Sequence, residues 1–191
     1  ELLAEAGVSI EESKRKLLTR CDDFPLEVLY LRDDDIPQAV SMGVADVGIV
    51  GLNEVEEKGF DVKIAHKLGF GKCRISLAIP KADAYDGIGY FNGKRVATSY
   101  PVILSRFFKE NGINAEIHEI AGSVEIAPSV GMADAIFDIV SSGGTLVTNT
   151  GQVFLNALNI AGDNTDIGGV KLAPDNWDFQ SGLVSFDDAK Y

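Results

Sequence analysis

Residues 135–146 read Ala-Ile-Phe-Asp-Ile-Val-Ser-Ser-Gly-Gly-Thr-Leu and give the clearest indication of the fold. An apolar run leads into Asp138, and two serines, two glycines and a threonine follow it. This order is typical of a strand that continues into a phosphate-binding loop, because glycines let backbone N–H groups turn toward an anion and hydroxyl side chains add donors. Asp138 is suited to holding ribose hydroxyls or a magnesium ion. The alternative is an ordinary strand–turn–helix junction.

The composition restricts the classes of partner. The chain has 191 residues, 46% of them hydrophobic, which is enough for one large domain or two small lobes. Its 29 acidic and 17 basic residues give a net charge of −12, which argues against nucleic-acid and anionic membrane partners. A small anionic substrate is still compatible with this net charge, because backbone N–H donors in a loop can attract an anion locally despite the negative field of the whole protein. No apolar run approaches the ~20 residues of a membrane span.

The cysteine content points to a reducing compartment. Cys21 and Cys73 are the two cysteines of the sequence, and two thiols do not form a disulfide framework. We therefore expect two reduced structural thiols in a cytoplasmic protein.

Strand and helix patterns alternate along the chain as far as Thr150. Strands are predicted over 27–31, 47–50, 74–80, 95–98 and 116–120, and helices over 1–7, 35–43 and 102–111. Strands separated by helices of this length indicate an α/β fold with parallel sheets. Beyond Thr150 the periodicity is weak, and short strands are predicted at 176–179 and 182–186.

One pattern occurs twice. Residues 35–48 and residues 125–136 each contain an acidic start, a short helix, a Gly-x-Ala-Asp turn and an apolar strand, followed by a glycine-containing loop. The loop of the first copy is Gly51–Glu54, and that of the second is 138–146. The repeat predicts two similar lobes with a ligand cleft between the carboxyl ends of their strands. Gly-x-Ala-Asp is also a common helix-to-strand turn, so a coincidence is the alternative.

Six motifs in order resemble the catalytic part of ATP phosphoribosyltransferase, the enzyme that opens histidine biosynthesis. They are Arg32–Pro37, Gly48–Gly51, Gly71–Ala78, Asn92–Pro101, Gly122–Glu125 and Asp138–Leu146, and the resemblance covers about residues 1–149. It implies two α/β lobes resembling type II periplasmic binding proteins, each with a mostly parallel sheet flanked by helices. The first lobe would comprise 1–74 plus 150–191, and the second lobe 75–149.

The resemblance also implies a reaction. N1 of the adenine of ATP attacks the anomeric carbon of phosphoribosyl pyrophosphate, and magnesium-bound pyrophosphate leaves. The implied partners are therefore ATP, phosphoribosyl pyrophosphate and Mg2+, in a homo-oligomer with or without a regulatory subunit. No nucleophilic side chain is required, which agrees with the lack of a catalytic triad around His66 or His118.

The family's phosphoribosyl-binding motif falls on Asp138–Leu146. Asp138 and Arg32 are the expected catalytic residues, and Asp138 is also a candidate metal ligand. The alternative for Asp138 is a helix cap, and the alternative for Arg32 is a solvated charge at a strand end. The other expected substrate-binding residues are Ser141, Ser142, Gly143, Gly144, Thr145, Leu146, Asp33, Arg74, Ser99, Tyr100 and Glu125.

Several of these residues have a second interpretation. Asp33 and its two acidic neighbours could bind magnesium or cap the next helix, and Glu125 could hold a ribose hydroxyl or cap its own helix. Arg74 could reach pyrophosphate or form a structural ion pair. Ser99 and Tyr100 could contact the purine or the phosphates.

The sequence departs from the family pattern in two places. The family begins with a strand and a Gln-x-x-Gly-Arg-like loop that this sequence does not contain, and residues 150–191 do not resemble the family's return segment. Two alternatives to the transferase therefore stay open: a two-lobed small-molecule binding protein and an inactive remnant of the enzyme.

Overall fold

The computed structural model describes residues 2–10, 16–21, 23–71, 73–80, 82–140, 156–159 and 181–185. The helices are α1 (Leu2–Glu5), α2 (Ile36–Ser41), α3 (Leu52–Lys58) and α4 (Pro101–Glu110). The strands are β1 (Leu18–Arg20), β2 (Glu27–Leu29), β3 (Val47–Gly51), β4 (Lys63–Lys67), β5 (Arg74–Ile79), β6 (Arg95–Thr98), β7 (Glu116–Glu119), β8 (Ala135–Val140), β9 (Asn156–Asn159) and β10 (Ser181–Ser185). Short 3-10 turns lie at Asp33–Asp35, Ile88–Phe91 and Val124–Ile126. Within these ranges, no helix combines the length and the apolar character needed to cross a bilayer.

Two sheets organise the chain. The first has the strand order β3-β10-β4, with β10 antiparallel to both neighbours. The second has the order β7-β6-β8-β5-β9. In it β6 is parallel to β7 and to β8, whereas β5 is antiparallel to β8 and to β9. Strands β1 and β2 form a separate antiparallel pair.

These sheets are more mixed than the predicted, mostly parallel ones. Parallel pairing occurs among β6, β7 and β8, which follow one another along the chain through helical segments. Strands β5, β9 and β10 pair with strands that are distant in sequence. No single βαβ crossover connects the members of these pairs, so the connection does not require them to be parallel. The α/β class itself is confirmed.

Helix α4 supplies much of the core of the larger sheet. Its buried residues Ile103, Leu104, Phe107 and Phe108 lie on one side of the helix, at the spacing of an amphipathic pattern. They pack with Leu77 and other residues of β5, β6 and β8. Burying each such side chain contributes about 1.5–3 kcal/mol. The helix predicted over 102–111 is therefore confirmed, with its first residue at Pro101.

The two copies of the repeated pattern have the same turn geometry. Gly43 has φ 69° and Gly131 has φ 74°, in the left-handed region that glycine tolerates best. The next residue in each copy closes the turn: the N–H of Val44 donates to the carbonyl oxygen of Ala39, and the N–H of Met132 donates to that of Ala127, both at 2.9 Å. Strand β3 follows the first turn and β8 follows the second, so the repeat is structural.

Strands β1, β4 and β9 and helix α3 are not predicted from the sequence pattern. Helix α3 begins at Leu52, directly after β3, where only a loop was expected. The strand predicted at 182–186 is confirmed as β10, and its position between β3 and β4 could not be anticipated. The strand predicted at 176–179 lies outside the described residues.

Candidate functional site

The carboxyl ends of β3, β6 and β8 carry the polar groups of the candidate site. Asp138 lies on β8, opposite Ser76 of β5. Burial raises the pKa of Asp138 to about 6, against a lowering effect of the Ile139 N–H group, which donates to Oδ1 at 2.7 Å. The charge of Glu125 raises that pKa further, so Glu125 and Asp138 act on each other electrostatically.

Tyr100 follows β6 and occupies the N-cap position of α4. Its hydroxyl donates to Oε1 of Glu54 at 3.1 Å and accepts from Nδ2 of Asn53 at 3.3 Å. Burial, followed by the adjacent Glu54 carboxylate, raises the pKa of Tyr100, and the charge of Asp138 adds to this effect. The phenol therefore keeps its proton throughout the physiological range.

Glu54 lies in the first turn of α3, directly after β3 of the first sheet, and its hydrogen bond with Tyr100 links that sheet to the start of α4. Burial raises its pKa, the hydrogen bond from Tyr100 and the charge of Lys58 lower it, and Asp34 and Asp33 raise it. The carboxylates of Asp33 and Asp34 therefore act on the same region as Glu54. From the sequence, Glu54 belongs to the glycine-containing loop Gly51–Glu54 but is not singled out as a site residue, because its partner Tyr100 lies 46 residues further along the chain.

Three expected site residues are held by protein contacts. Nε of Arg32 donates to Oδ1 of Asp34 at 3.2 Å, in an exposed ion pair. Oγ of Ser99 donates to the backbone oxygen of Ile120 at 2.7 Å. Arg74 begins β5, opposite Val140. Electrostatic effects link the expected site residues in pairs: Asp138 acts on the pKa of Tyr100, and Glu125 on that of Asp138. Asp33 acts on the pKa of Glu54.

Helix α3 joins this region to α4. The two carboxylate oxygens of Glu57 accept hydrogen bonds from the backbone N–H groups of Val102 and Ile103, each at 2.9 Å. Glu57 is 7% exposed, and its neighbour Glu56 forms an ion pair with Arg106 on the outside of the same contact. The amino-terminal N–H groups of α4 are therefore occupied by a protein carboxylate.

The phosphoribosyl loop expected at Ser141, Ser142, Gly143, Gly144, Thr145 and Leu146 lies outside the described residues. Among the residues that the structure does describe, no group of three or more His, Cys, Asp or Glu side chains could hold a metal ion.

A family model described as ATP phosphoribosyltransferase, HisG, matches residues 32–160, which is more than half of the chain. The chain belongs to the ATP phosphoribosyltransferase family. The range matched by the family contains all the site residues named above, from Arg32 to Leu146. The resemblance carried by the six motifs is thereby confirmed.

Curated relatives support the same family. The chain is 62% identical over 148 residues to ATP phosphoribosyltransferase of Bacteroides thetaiotaomicron, covering 78% of this chain and 52% of the relative. It is 53% identical over 149 residues to ATP phosphoribosyltransferase of Cytophaga hutchinsonii, with coverage of 78% and 52%. The chain thus spans about half the length of the curated relatives it matches.

Solved structures agree with the fold. The chain resembles the ATP phosphoribosyltransferase HisG:HisZ complex from Thermotoga maritima with TM-score 0.70 and 26% identity, over 96% of this chain and 78% of that chain. It also resembles the substrate-binding protein of an amino acid ABC transporter with TM-score 0.58 and 13% identity, over 88% of this chain and 69% of that one. The second likeness concerns the fold alone, and together the two confirm the periplasmic-binding-protein-like architecture of this family member.

Proposed function

We propose that this member of the ATP phosphoribosyltransferase family transfers the phosphoribosyl group of phosphoribosyl pyrophosphate to N1 of ATP. The products are phosphoribosyl-ATP and pyrophosphate, and the reaction is the first step of histidine biosynthesis. The observation that carries the proposal is the family match over residues 32–160, which includes the motifs at both sheet edges. The hydrogen bond between Tyr100 and Glu54, and the effect of the Asp138 charge on the pKa of Tyr100, are further support.

The reaction requires the protein to position its two substrates and to stabilise the charge that develops in the transition state. Displacement at an anomeric carbon passes through an oxocarbenium-like state, by analogy with glycosyl transfer. The protein has to align two anionic substrates and stabilise the charge that develops. In this proposal Asp138 accepts hydrogen bonds from ribose hydroxyls, directly or through Mg2+, and the loop at 141–146 binds the 5′-phosphate. Arg32 binds phosphate oxygens, which its planar guanidinium matches in geometry.

The assembly and location follow from the same proposal. We infer a homo-oligomer in the cytoplasm, where ATP and phosphoribosyl pyrophosphate are available, with Mg2+ as the cofactor. The Thermotoga maritima relative is described as a HisG:HisZ complex, which favours a separate regulatory subunit as a further partner.

We retain the division into a first lobe of 1–74 plus 150–191 and a second lobe of 75–149 as part of the proposal. The pairing of β10 with β3 and β4 supports it for the last described residues. The pairing of β9 with β5 argues for assigning Asn156–Asn159 to the second lobe instead.

A direct assay tests the proposed function. The protein is mixed with ATP, phosphoribosyl pyrophosphate and Mg2+, and product absorbance and pyrophosphate release are followed, with each substrate omitted in turn as a control. We expect turnover that requires both substrates, and a large loss of kcat in Asp138→Asn.

Failure of that assay separates the alternatives. Binding of phosphoribosyl pyrophosphate without turnover would identify an inactive remnant. Absence of both binding and turnover would instead leave a two-lobed binding protein for another ligand. Unchanged turnover in Asp138→Asn would refute the role given to that carboxylate.

A further inference from the structure

Glu54 is a partly buried carboxylate just beyond the carboxyl end of β3, in the first turn of α3. Its Oε1 atom accepts two hydrogen bonds, one from Nδ2 of Asn53 at 3.0 Å and one from the hydroxyl of Tyr100 at 3.1 Å. Both donors are buried, since Asn53 is 4% exposed and Tyr100 is 8% exposed. One side of the carboxylate is therefore fixed by two side chains that are themselves held in the core.

The direction of each hydrogen bond in this group is determined. If the Asn53 amide were rotated, its oxygen would face the Glu54 carboxylate, which is an unfavourable contact between two acceptors. Asn53 therefore donates to Glu54 and also to the Tyr100 hydroxyl, at 3.3 Å. Because the Tyr100 proton is directed at Glu54, the phenol has no donor left for a ligand.

The Oε2 atom of the Glu54 carboxylate can only accept hydrogen bonds. Within the described part of the chain, no hydrogen bond reaches its Oε2 atom. The positive charge of Lys58 and the negative charges of Asp34 and Asp33 act on Glu54 in opposite directions. The Oε2 atom has no hydrogen to donate to a phosphate oxygen, whereas N–H and O–H groups of a ligand can donate to it. In a nucleotide these donors belong to the nucleoside part: the exocyclic amine of the base and the ribose hydroxyls.

We propose that Glu54, held by Asn53 and Tyr100, is a further substrate-contacting residue that accepts a hydrogen bond from the nucleoside part of ATP. This inference rests on the proposed transferase function and adds a specificity determinant to it. Tyr100 then acts as a positioning residue for Glu54 and makes no phosphate contact. From the sequence, Tyr100 is expected to contact either the purine or the phosphates. In this proposal Tyr100 acts on the purine side of the substrate, and it does so indirectly, by holding Glu54.

Glu54→Gln provides the most informative test. The amide oxygen can keep the two hydrogen bonds from Asn53 and Tyr100, so the amide NH2 group takes the place of Oε2 and turns an acceptor into a donor. We expect KM for ATP to rise about tenfold, as for the loss of one charge-assisted hydrogen bond, with KM for phosphoribosyl pyrophosphate within about twofold of wild type. Tyr100→Phe should raise KM for ATP by about threefold, because Glu54 stays in place but loses one of its two supports.

Glu56→Gln is the matched control. It makes the same chemical change two residues further along α3, on an exposed side chain that pairs with Arg106. Its KM values should equal those of the wild type. Partial unfolding of a variant would lower the apparent kcat and leave both KM values unchanged, so the separation of the two KM values distinguishes contact from structural damage. Equal KM values for ATP in Glu54→Gln and Glu56→Gln would overturn the proposal.

Substrate analogues identify the donor that Glu54 accepts from. Purine riboside triphosphate lacks the adenine amine but keeps the unprotonated N1 that the reaction needs, and 2′-deoxy-ATP and 3′-deoxy-ATP each lack one ribose hydroxyl. If the amine is the donor, the wild type should prefer ATP over purine riboside triphosphate and Glu54→Gln should lose that preference. If a ribose hydroxyl is the donor, the same loss of preference should appear with the corresponding deoxy analogue. Preferences that are identical in wild type and Glu54→Gln for all three analogues would also overturn the proposal.

A binding measurement keeps this inference separate from the proposed function. If the wild-type protein gives no product at all, the transferase proposal fails, and calorimetric titration with ATP still tests Glu54. Weaker ATP binding in Glu54→Gln than in Glu56→Gln would support the contact, and equal affinity would refute it.

Discussion

Replacing Glu57 by alanine is expected to lower the free energy of unfolding by about 3 kcal/mol, because the carboxylate supplies the N-terminal cap of a helix in another part of the chain. Glu57 lies on α3 and is 7% exposed. Its oxygens accept from the N–H groups of Val102 and Ile103 in the first turn of α4. Tyr100, at the N-cap position itself, makes no side-chain cap hydrogen bond.

The magnitude follows from these contacts. Loss of a good N-cap side chain costs about 0.5–2 kcal/mol. Here two N–H groups lose their partner, one of them in a buried contact, and each unsatisfied buried group costs about 1–3 kcal/mol. Water entering the space left by the side chain offsets part of this cost, which gives a net value near 3 kcal/mol. Glu57→Gln keeps one acceptor oxygen and loses the charge at the positive end of α4, so about 1–2 kcal/mol is expected.

Urea unfolding monitored by circular dichroism measures both variants, and hydrogen exchange of the α4 amides reports the local effect. Glu56→Ala is the control, because Glu56 lies next to Glu57 and pairs with Arg106 at the surface. Exposed ion pairs contribute about 0–1 kcal/mol. If Glu57→Ala and Glu56→Ala were equally stable, or if the Val102 and Ile103 amides kept their protection in Glu57→Ala, the capping role would be refuted.

Three further predictions follow from the electrostatics and the repeat. Since the pKa of Asp138 is raised to about 6, kcat/KM should fall as pH decreases through that value, and Asp138→Asn should lack this limb of the pH profile. Hydrogen bonds from Arg95 lower the pKa of Asp134 to about 2, so the pair stabilises the fold at neutral pH and loses its effect as pH falls from about 4 toward 2. Asp134→Asn should therefore lower the urea midpoint slightly at pH 7, and by less at pH 3. Gly43→Ala and Gly131→Ala should each cost about 1 kcal/mol in urea unfolding, because an added Cβ meets open space in both and only the left-handed backbone is unfavourable; a clear difference between them would contradict the equivalence of the two turns.

Local structure could be predicted wherever it depends on neighbouring residues. The apolar spacing of Ile103, Phe107 and Phe108, with Gly112 after the last turn, is sufficient to indicate α4. The turns at Gly43 and Gly131 were found as a repeated sequence pattern and have one geometry. In each case the determining interactions are between residues within one or two turns of the chain.

The candidate site could be predicted only in part. The motif at Asp138 and the position of Tyr100 after a strand were visible in the sequence, because strand ends followed by small or polar residues form a local pattern. Glu54 was not nominated, since its role depends on Tyr100, 46 residues away in the chain. The same holds for Glu57, which contacts Val102 across 45 residues.

The amino-acid sequence by itself therefore determined the family, the alternation of strands and helices and the two matching turns, because each is encoded by residue type and short-range spacing. Tertiary structure alone decided that β10 lies between β3 and β4, that β5 runs antiparallel to β8, and that α3 caps α4 and presents Glu54 beside Tyr100. The physical reason is that backbone hydrogen bonds between strands and buried contacts between side chains are satisfied by whichever partners the whole fold brings together, and no periodicity in the chain records that choice.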